Sequence, residues 1–287
     1  MKKLFTVLCL GLMLCACSNE STLVSNPDEV IINADKNSYT KQDLFEGMKN
    51  VDYSNIIINS LTDKIADLEG ITAEHLDERV ANALEGIKVV YGDQYPMMTL
   101  YYGGEENLKA NLRSEAKVQE ISNKYFDAHK EDLLAEYKPV MGYVFYTDDA
   151  AKASSIVAEV NNGTDMVEAA KNANYTETVA RGIYTDKSDI AIDVKEYIAA
   201  LTETGKAEIV KTTITTSTSN GSVDQDRYYV VQILDNNPEN YLEDFYATLN
   251  KSFDQSTIYS YFFEKYNLEV YDQDTYDLLS KNFKGIK

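Results

Sequence analysis

The chain has 287 residues, of which 44% are apolar and 26% charged, which suits a folded protein long enough for two domains and excludes a disordered one. Its formal net charge of −20 disfavours nucleic acid and anionic lipid as partners, and it serves equally to keep a surface protein soluble. Three cysteines and two histidines are present, with no zinc spacing, phosphate loop or nucleophile elbow, so no cofactor or metal is expected.

The opening MKKLFTVLCLGLMLCACSNE places Lys2 and Lys3 before an apolar run over residues 4–14. That run is too short to span a bilayer as a helix but suits a secretory signal. Residues 14–17, Leu-Cys-Ala-Cys, resemble a bacterial lipobox, which implies cleavage before Cys17 and acylation of that residue. Cys9 and Cys15 then leave with a signal peptide at residues 1–16, and no thiol remains for disulfides, catalysis or metal binding. Losing Lys2 and Lys3 moves the net charge from −20 to −22. Residues 17–28 follow as the lipidated cysteine and a small, polar tether.

Residues 29–39 read as a short strand and turn, and Thr40 with Asp43 has the spacing of a capping box at the head of a helix. In residues 54–70, with Ser54 as cap and Gly70 as stop, Ile58, Leu61, Ile65 and Leu68 recur at helical spacing. In residues 71–92, Thr72 caps a stripe of Leu76, Val80, Leu84, Ile87 and Tyr91. Residues 105–138 form a long charged helix with Leu108, Leu112, Val118, Ile121 and Tyr125 on its apolar side, broken before Glu131. Helices this polar gain most of their stability from a partner, so residues 29–137 read as one helical region. From Val140 the pattern changes. A strand at 141–146, helices at 148–161 and 164–173, a strand at 181–185, a helix at 193–201 and strands at 206–217 and 227–235 compose a separate module over 138–237. The tail, 238–287, returns to helix at 256–267, with a short strand at 268–272 and a last helix at 274–281. The fold class is therefore α+β: a helical lobe built from the N- and C-terminal segments, with an inserted α/β sandwich of a small antiparallel sheet and covering helices.

The module resembles a parvulin-type peptidyl-prolyl isomerase domain. YVFY, DDAAKASSIVAEV, Gly163 and DMVEAAK match that family's opening strand, Ala/Lys-rich helix, Gly turn and second helix. KEYIAAL, GKAEIVKT and RYYVVQIL match its later helix and last two strands. The stretch YYGGEENLKANLRSEAKVQEI resembles the N-terminal chaperone region shared by PrsA-type foldases and SurA-type chaperones, and FFEKYNLEVYDQDTYDLL resembles the PrsA C-terminus, which folds back on that region. With the lipobox, the resemblance covers essentially the whole chain, and it is the order of the four parts that is specific. It implies a lipid-anchored chaperone on the extracytoplasmic face of the bacterial membrane. Unfolded or partly folded secreted polypeptides would be its partners, and a homodimer through the helical region stands beside a monomer.

The departures concern chemistry. Active members of the parvulin family carry a His on the first strand and another on the last, and those positions fall on Tyr143 and Tyr229. His75 and His129 lie in the helical region. The family's substrate pocket carries over to Tyr143, Phe145, Met166, Tyr197 and Tyr229, with no residue assigned a catalytic role. Prolyl isomerisation breaks no covalent bond, and it requires tighter binding of the twisted amide than of either planar form. Two phenols in place of two imidazoles are expected to fill the cleft and leave a holdase. Two alternatives stay open: an isomerase working through Tyr143 and Tyr229, and a surface lipoprotein that binds a solute or host component. YYGG at 101–104 and YSYFF at 259–263 either line a client groove or fill a core.

Overall fold

The computed structural model describes residues 26–34, 37–51, 53–218 and 221–287; the signal peptide, Cys17 and most of the tether lie outside them. The chain divides into two units, one from the residues up to Val118 with Ser256–Lys287, the other Gln119–Gln255.

The first unit opens with an antiparallel hairpin of β1 (Val30–Ala34) and β2 (Asn37–Thr40), leading into helix α1 (Lys41–Val51). The capping box forms as read: the Thr40 backbone N–H donates to Asp43 Oδ2 at 2.8 Å, and the Asp43 N–H donates back to Thr40 Oγ1 at 3.2 Å. Helix α2 (Tyr53–Leu68) starts one residue ahead of Ser54, which therefore lies inside it and is not its cap, and ends before Gly70, whose φ of +71° suits a residue without Cβ. Helix α3 (Ala73–Tyr91) starts at Thr72, whose hydroxyl accepts from the His75 N–H, and it buries Leu76, Val80 and Leu84. These three pack with Leu108, Leu112, Tyr95 and Met98 from α4 (Tyr95–Tyr101) and α5 (Glu105–Ala128). The C-terminal segment adds α11 (Gln255–Lys265) and α12 (Gln273–Ser280). Ile258, Phe262, Phe263 and Leu279 are buried there, and the Tyr259 hydroxyl meets the buried Thr62 hydroxyl at 2.7 Å, joining α11 to α2. Of YSYFF at 259–263, Tyr259, Phe262 and Phe263 are thus core, and Ser260 and Tyr261 are half-buried. Residues 268–272 form no strand. Two backbone bonds, Val270 N–H to Lys287 O and Lys287 N–H to Leu268 O, hold the stretch beside the C-terminus, and no ladder extends them.

In the second unit the long helix breaks at His129, and α6 (Lys130–Tyr137) follows, ending on Lys138 in the left-handed region. Strands β3 (Val140–Thr147), β4 (Gly182–Tyr184), β5 (Ala207–Thr218) and β6 (Gly221–Asp235) form one antiparallel sheet in the order β4-β3-β6-β5. Helices α7 (Ala150–Asn161) and α8 (Met166–Asn172) cover one face, and α9 (Ile192–Ala200) covers the other. This is the α+β sandwich expected from the sequence. Asp149 and Asp165 cap α7 and α8, each accepting two backbone N–H bonds. Helix α10 (Leu242–Leu249) packs against α5 and α6 through the ring pairs Phe126–Tyr246 and Tyr137–Phe245. The Tyr241 hydroxyl donates to the Pro139 carbonyl at 2.8 Å. Such contacts explain why the compact unit reaches beyond the sheet to Gln119 and Gln255.

Candidate functional site

Side chains alternate between the two faces of a strand, so register decides which residues meet. β3 and β6 pair with Tyr143 opposite Gln232 and Tyr146 opposite Tyr229. On the α7/α8 face, Tyr143, Phe145, Tyr228 and Val230 gather around Ala153, Ile156 and Met166. On the α9 face, Val144, Tyr146, Tyr229, Val231 and Ile233 gather around Val194, Tyr197 and Leu201.

The expected substrate residues are therefore divided. Tyr143, Phe145 and Met166 share one face, and Tyr197 and Tyr229 share the other. Tyr143 and Tyr229 do not face each other across a common hollow. The β3 ring that meets Tyr229 is Tyr146, with centroids 5.5 Å apart. The physical reason is the register shift of β3 against β6 between Met141 and Gly142, because one residue of slip moves a side chain to the opposite face. Met166 is only 2% exposed, and as part of the core it offers no open wall to a ligand.

The α9 face holds a second feature. The Arg227 guanidinium lies 3.8 Å from the Tyr146 ring centroid, a cation–π contact, with Asp148 at 3.7 Å from its Nε. Tyr229 is 8% exposed beside this pair. Burial pushes the Tyr197 phenol above its usual value, with the Glu208 charge adding to the effect. The signal for this cluster was the alternation in DRYYVVQI, which puts Arg227 and Tyr229 on one side.

The free edge of β3 is closed by phenols. β4 pairs with β3 only over Val140, Met141 and Gly142. Beyond it, the Tyr184 hydroxyl accepts from the Val144 N–H at 3.1 Å and donates to the Val144 carbonyl at 3.2 Å. The Tyr175 hydroxyl donates to the Tyr146 carbonyl at 2.9 Å. An extended peptide adding to this edge would have to displace both hydroxyls.

Among the clefts on this unit, two stand out by volume. One, of about 400 Å³, is lined by Tyr146, Asp148, Asp149, Lys152, Tyr175 and Glu177, among others. Much of its polarity is already engaged, since Asp149 caps α7 and Lys152 donates to the Asn174 carbonyl at 3.1 Å. The other, of about 280 Å³, lies between β4 and α10 and includes Met141, Arg181, Ile183, Asp244 and Lys251. Residues 138–237 contain no histidine or cysteine. His129 Nδ1 lies 2.9 Å from the Tyr125 carbonyl, at the α5–α6 break. The module therefore has no imidazole or thiol for proton transfer or covalent attack. Among the described residues, no group of three or more His, Cys, Asp or Glu is placed to hold a metal ion, and no helix is long and apolar enough to cross a membrane.

No protein-family model matches the chain, and no curated protein matches it. Solved structures align over most of its length. The foldase protein PrsA from Streptococcus pneumoniae shares 17% identity at a TM-score of 0.45, covering 88% of this chain and 100% of that one. PrsA from Bacillus subtilis shares 18% identity at a TM-score of 0.39, covering 88% and 99%. A structure described with the SurA-like chaperones PEB4 and Cj1289 of Campylobacter jejuni shares 11% identity at a TM-score of 0.25, covering 81% and 93%.

Proposed function

We propose that this chain is a lipid-anchored extracytoplasmic chaperone of the PrsA type, which binds unfolded exported polypeptides, and that its 138–237 module holds chain without turning prolines. Support for the chaperone reading is the order of parts in the sequence: lipobox, helical region, parvulin-like module and helical tail. The observation that carries the loss of isomerase activity is the filling of the α9 face. Tyr229, at 8% exposure, packs on Tyr146 and joins Val194, Val231 and Ile233 in one apolar cluster, where a twisted prolyl amide would need an open, polar-lined hollow.

The soluble chain from Ser18 onward tests both parts. It should suppress aggregation of a reduced, unfolded client, and failure with every client tried would remove the chaperone reading. In a protease-coupled proline-peptide assay it should leave the slow uncatalysed rate unchanged. A rate above background that falls with Tyr146→Phe or Tyr229→Phe would instead establish a tyrosine-based isomerase. Anchoring is tested separately: labelled palmitate should enter the full chain and be lost with Cys17→Ser.

A further inference from the structure

Helix α4 carries apolar side chains on both its inner and its outer face. Its inner residues Tyr95 and Met98 pack on the core of α3 and α5, while its outer residues Met97, Leu100 and Tyr101 are 75%, 77% and 86% exposed. Val89 and Val90, on the last turn of α3, are exposed as well. An exposed apolar face of this kind marks a contact surface. Asp93 sits in the 3-10 turn Gly92–Gln94 that runs into α4, and within α4 Met97, Leu100 and Tyr101 follow at i, i+3 and i+4 along one stripe. Gly103 and Gly104, at φ +76° and +116°, then end the helix.

The charge around this face is acidic and partly uncompensated. Lys109 is taken up by Glu105 and Glu106, and Lys88 sits 5.2 Å from the Tyr95 ring. Among the described residues, Glu85 and Asp93 form no ion pair. An anionic membrane would be repelled by these acids. A cationic, apolar polypeptide is attracted by the same charges.

We propose that the outer face of α4 is the surface that captures apolar segments of unfolded polypeptide flanked by Lys or Arg, with Met97, Leu100 and Tyr101 as the apolar contacts and Asp93 as the charge that selects the flank. This rests on the chaperone reading above and gives it a site and a preference. Two fluorescent, disordered peptides with one aromatic-apolar centre, flanked by Lys in one and by Glu in the other, test it on the soluble chain from Ser18. The chain should bind the Lys-flanked peptide about tenfold more tightly. Met97→Ser, Leu100→Ser and Tyr101→Ser together should weaken that binding about tenfold or more, with an unchanged melting midpoint because all three side chains are exposed. Asp93→Asn should narrow the gap between the two peptides. If the triple variant binds as the parent does and both suppress aggregation, the site is overturned and the chaperone reading stands. If the parent neither binds a peptide nor suppresses aggregation, both fall. A dimer of the parent that the triple variant dissolves in sedimentation would assign the face to a second copy. Vesicle binding by the anchor-free parent that the variant loses would assign it to lipid. Either result overturns the proposal.

Discussion

Gly142 stands where β3 shifts register against β6, and the reason for its lack of a side chain is geometric. A Cβ there would lie 2.2 Å from the Gln232 carbonyl oxygen and 2.9 Å from Ile233 Cα. Both neighbours are backbone, so neither can rotate aside. Gly142→Ala should cost about 3 kcal/mol, at the upper end for overpacking. Gly86, exposed within α3, has nothing within 4 Å of its would-be Cβ. There Gly86→Ala should stabilise by about 1 kcal/mol through helix propensity. Denaturant midpoints of the two variants should therefore move in opposite directions. The tyrosines give a second residue-scale test. Burial, with help from the Glu177 charge, pushes the Tyr175 phenol up to about 12, and burial also raises Tyr184 and Tyr259. A phenol with a raised folded pKa keeps its proton after the unfolded chain has lost its own near pH about 10. The stability it contributes is full below that pH and is lost as pH rises through the folded value. The melting midpoint should fall between pH about 10 and about 12. Tyr175→Phe should lie lower at neutral pH, because the Tyr146 carbonyl loses its donor, and should slope less steeply above pH about 10.

At the scale of elements, the passage from α6 to β3 turns on Lys138, which adopts φ +44° and ψ +59° directly before Pro139. A lysine is strained in the left-handed region, and a following proline restricts it further. Lys138→Gly should stabilise by about 0.5–1 kcal/mol, read as a raised denaturant midpoint. It gives up only the exposed ion pair with Asp186, which is worth little. The same scale shows what the sequence could reveal. Elements with a cap and a long stripe were legible: Thr40 with Asp43, Thr72 over Leu76, Val80 and Leu84, and the break before Glu131, which falls at His129. Helices α4 and α10 were not: neither starts at a side-chain cap, whereas the equally short α8 and α12 start at Asp165 and Asp272. The far end of β6, VDQDR, is too polar to read as a strand. Thr213 and Thr215 on β5 bond its Asp226 and Asp224 across the ladder at 3.1 and 2.7 Å. For the candidate site, the strands were legible and the faces were not. YVFY and RYYVVQIL alternate equally well in either register, and the mark of the shift that chooses between them is Gly142, a lone glycine that signals a bulge in a strand without giving the register beyond it.

Across the whole molecule the dominant sequence property is charge, −20 for the full chain, and its role divides into two readings that salt separates. If the acids only keep the protein dispersed, client binding rests on apolar contact, which salt does not screen and excluded salts strengthen. If they also draw in cationic unfolded chains, the attraction acts over distances that salt shortens: the screening length is about 10 Å at 0.1 M and about 3 Å at 1 M. Charges at the rim of a contact act mainly on the rate of encounter. For a Lys-rich unfolded client, the association rate should therefore fall several-fold as salt rises from about 0.1 M to about 1 M, with a smaller change in dissociation. An uncharged apolar client should show no such fall. Stopped-flow mixing of the soluble chain with both clients across that range measures the difference. Equal and flat association rates would assign the acidic surface to solubility alone, leaving Met97, Leu100 and Tyr101 to act without help from Asp93. A fall confined to the Lys-rich client, and reduced by Asp93→Asn, would place part of the selectivity at the head of α4, because a single neutralised acid elsewhere on so acidic a surface would alter the encounter rate little.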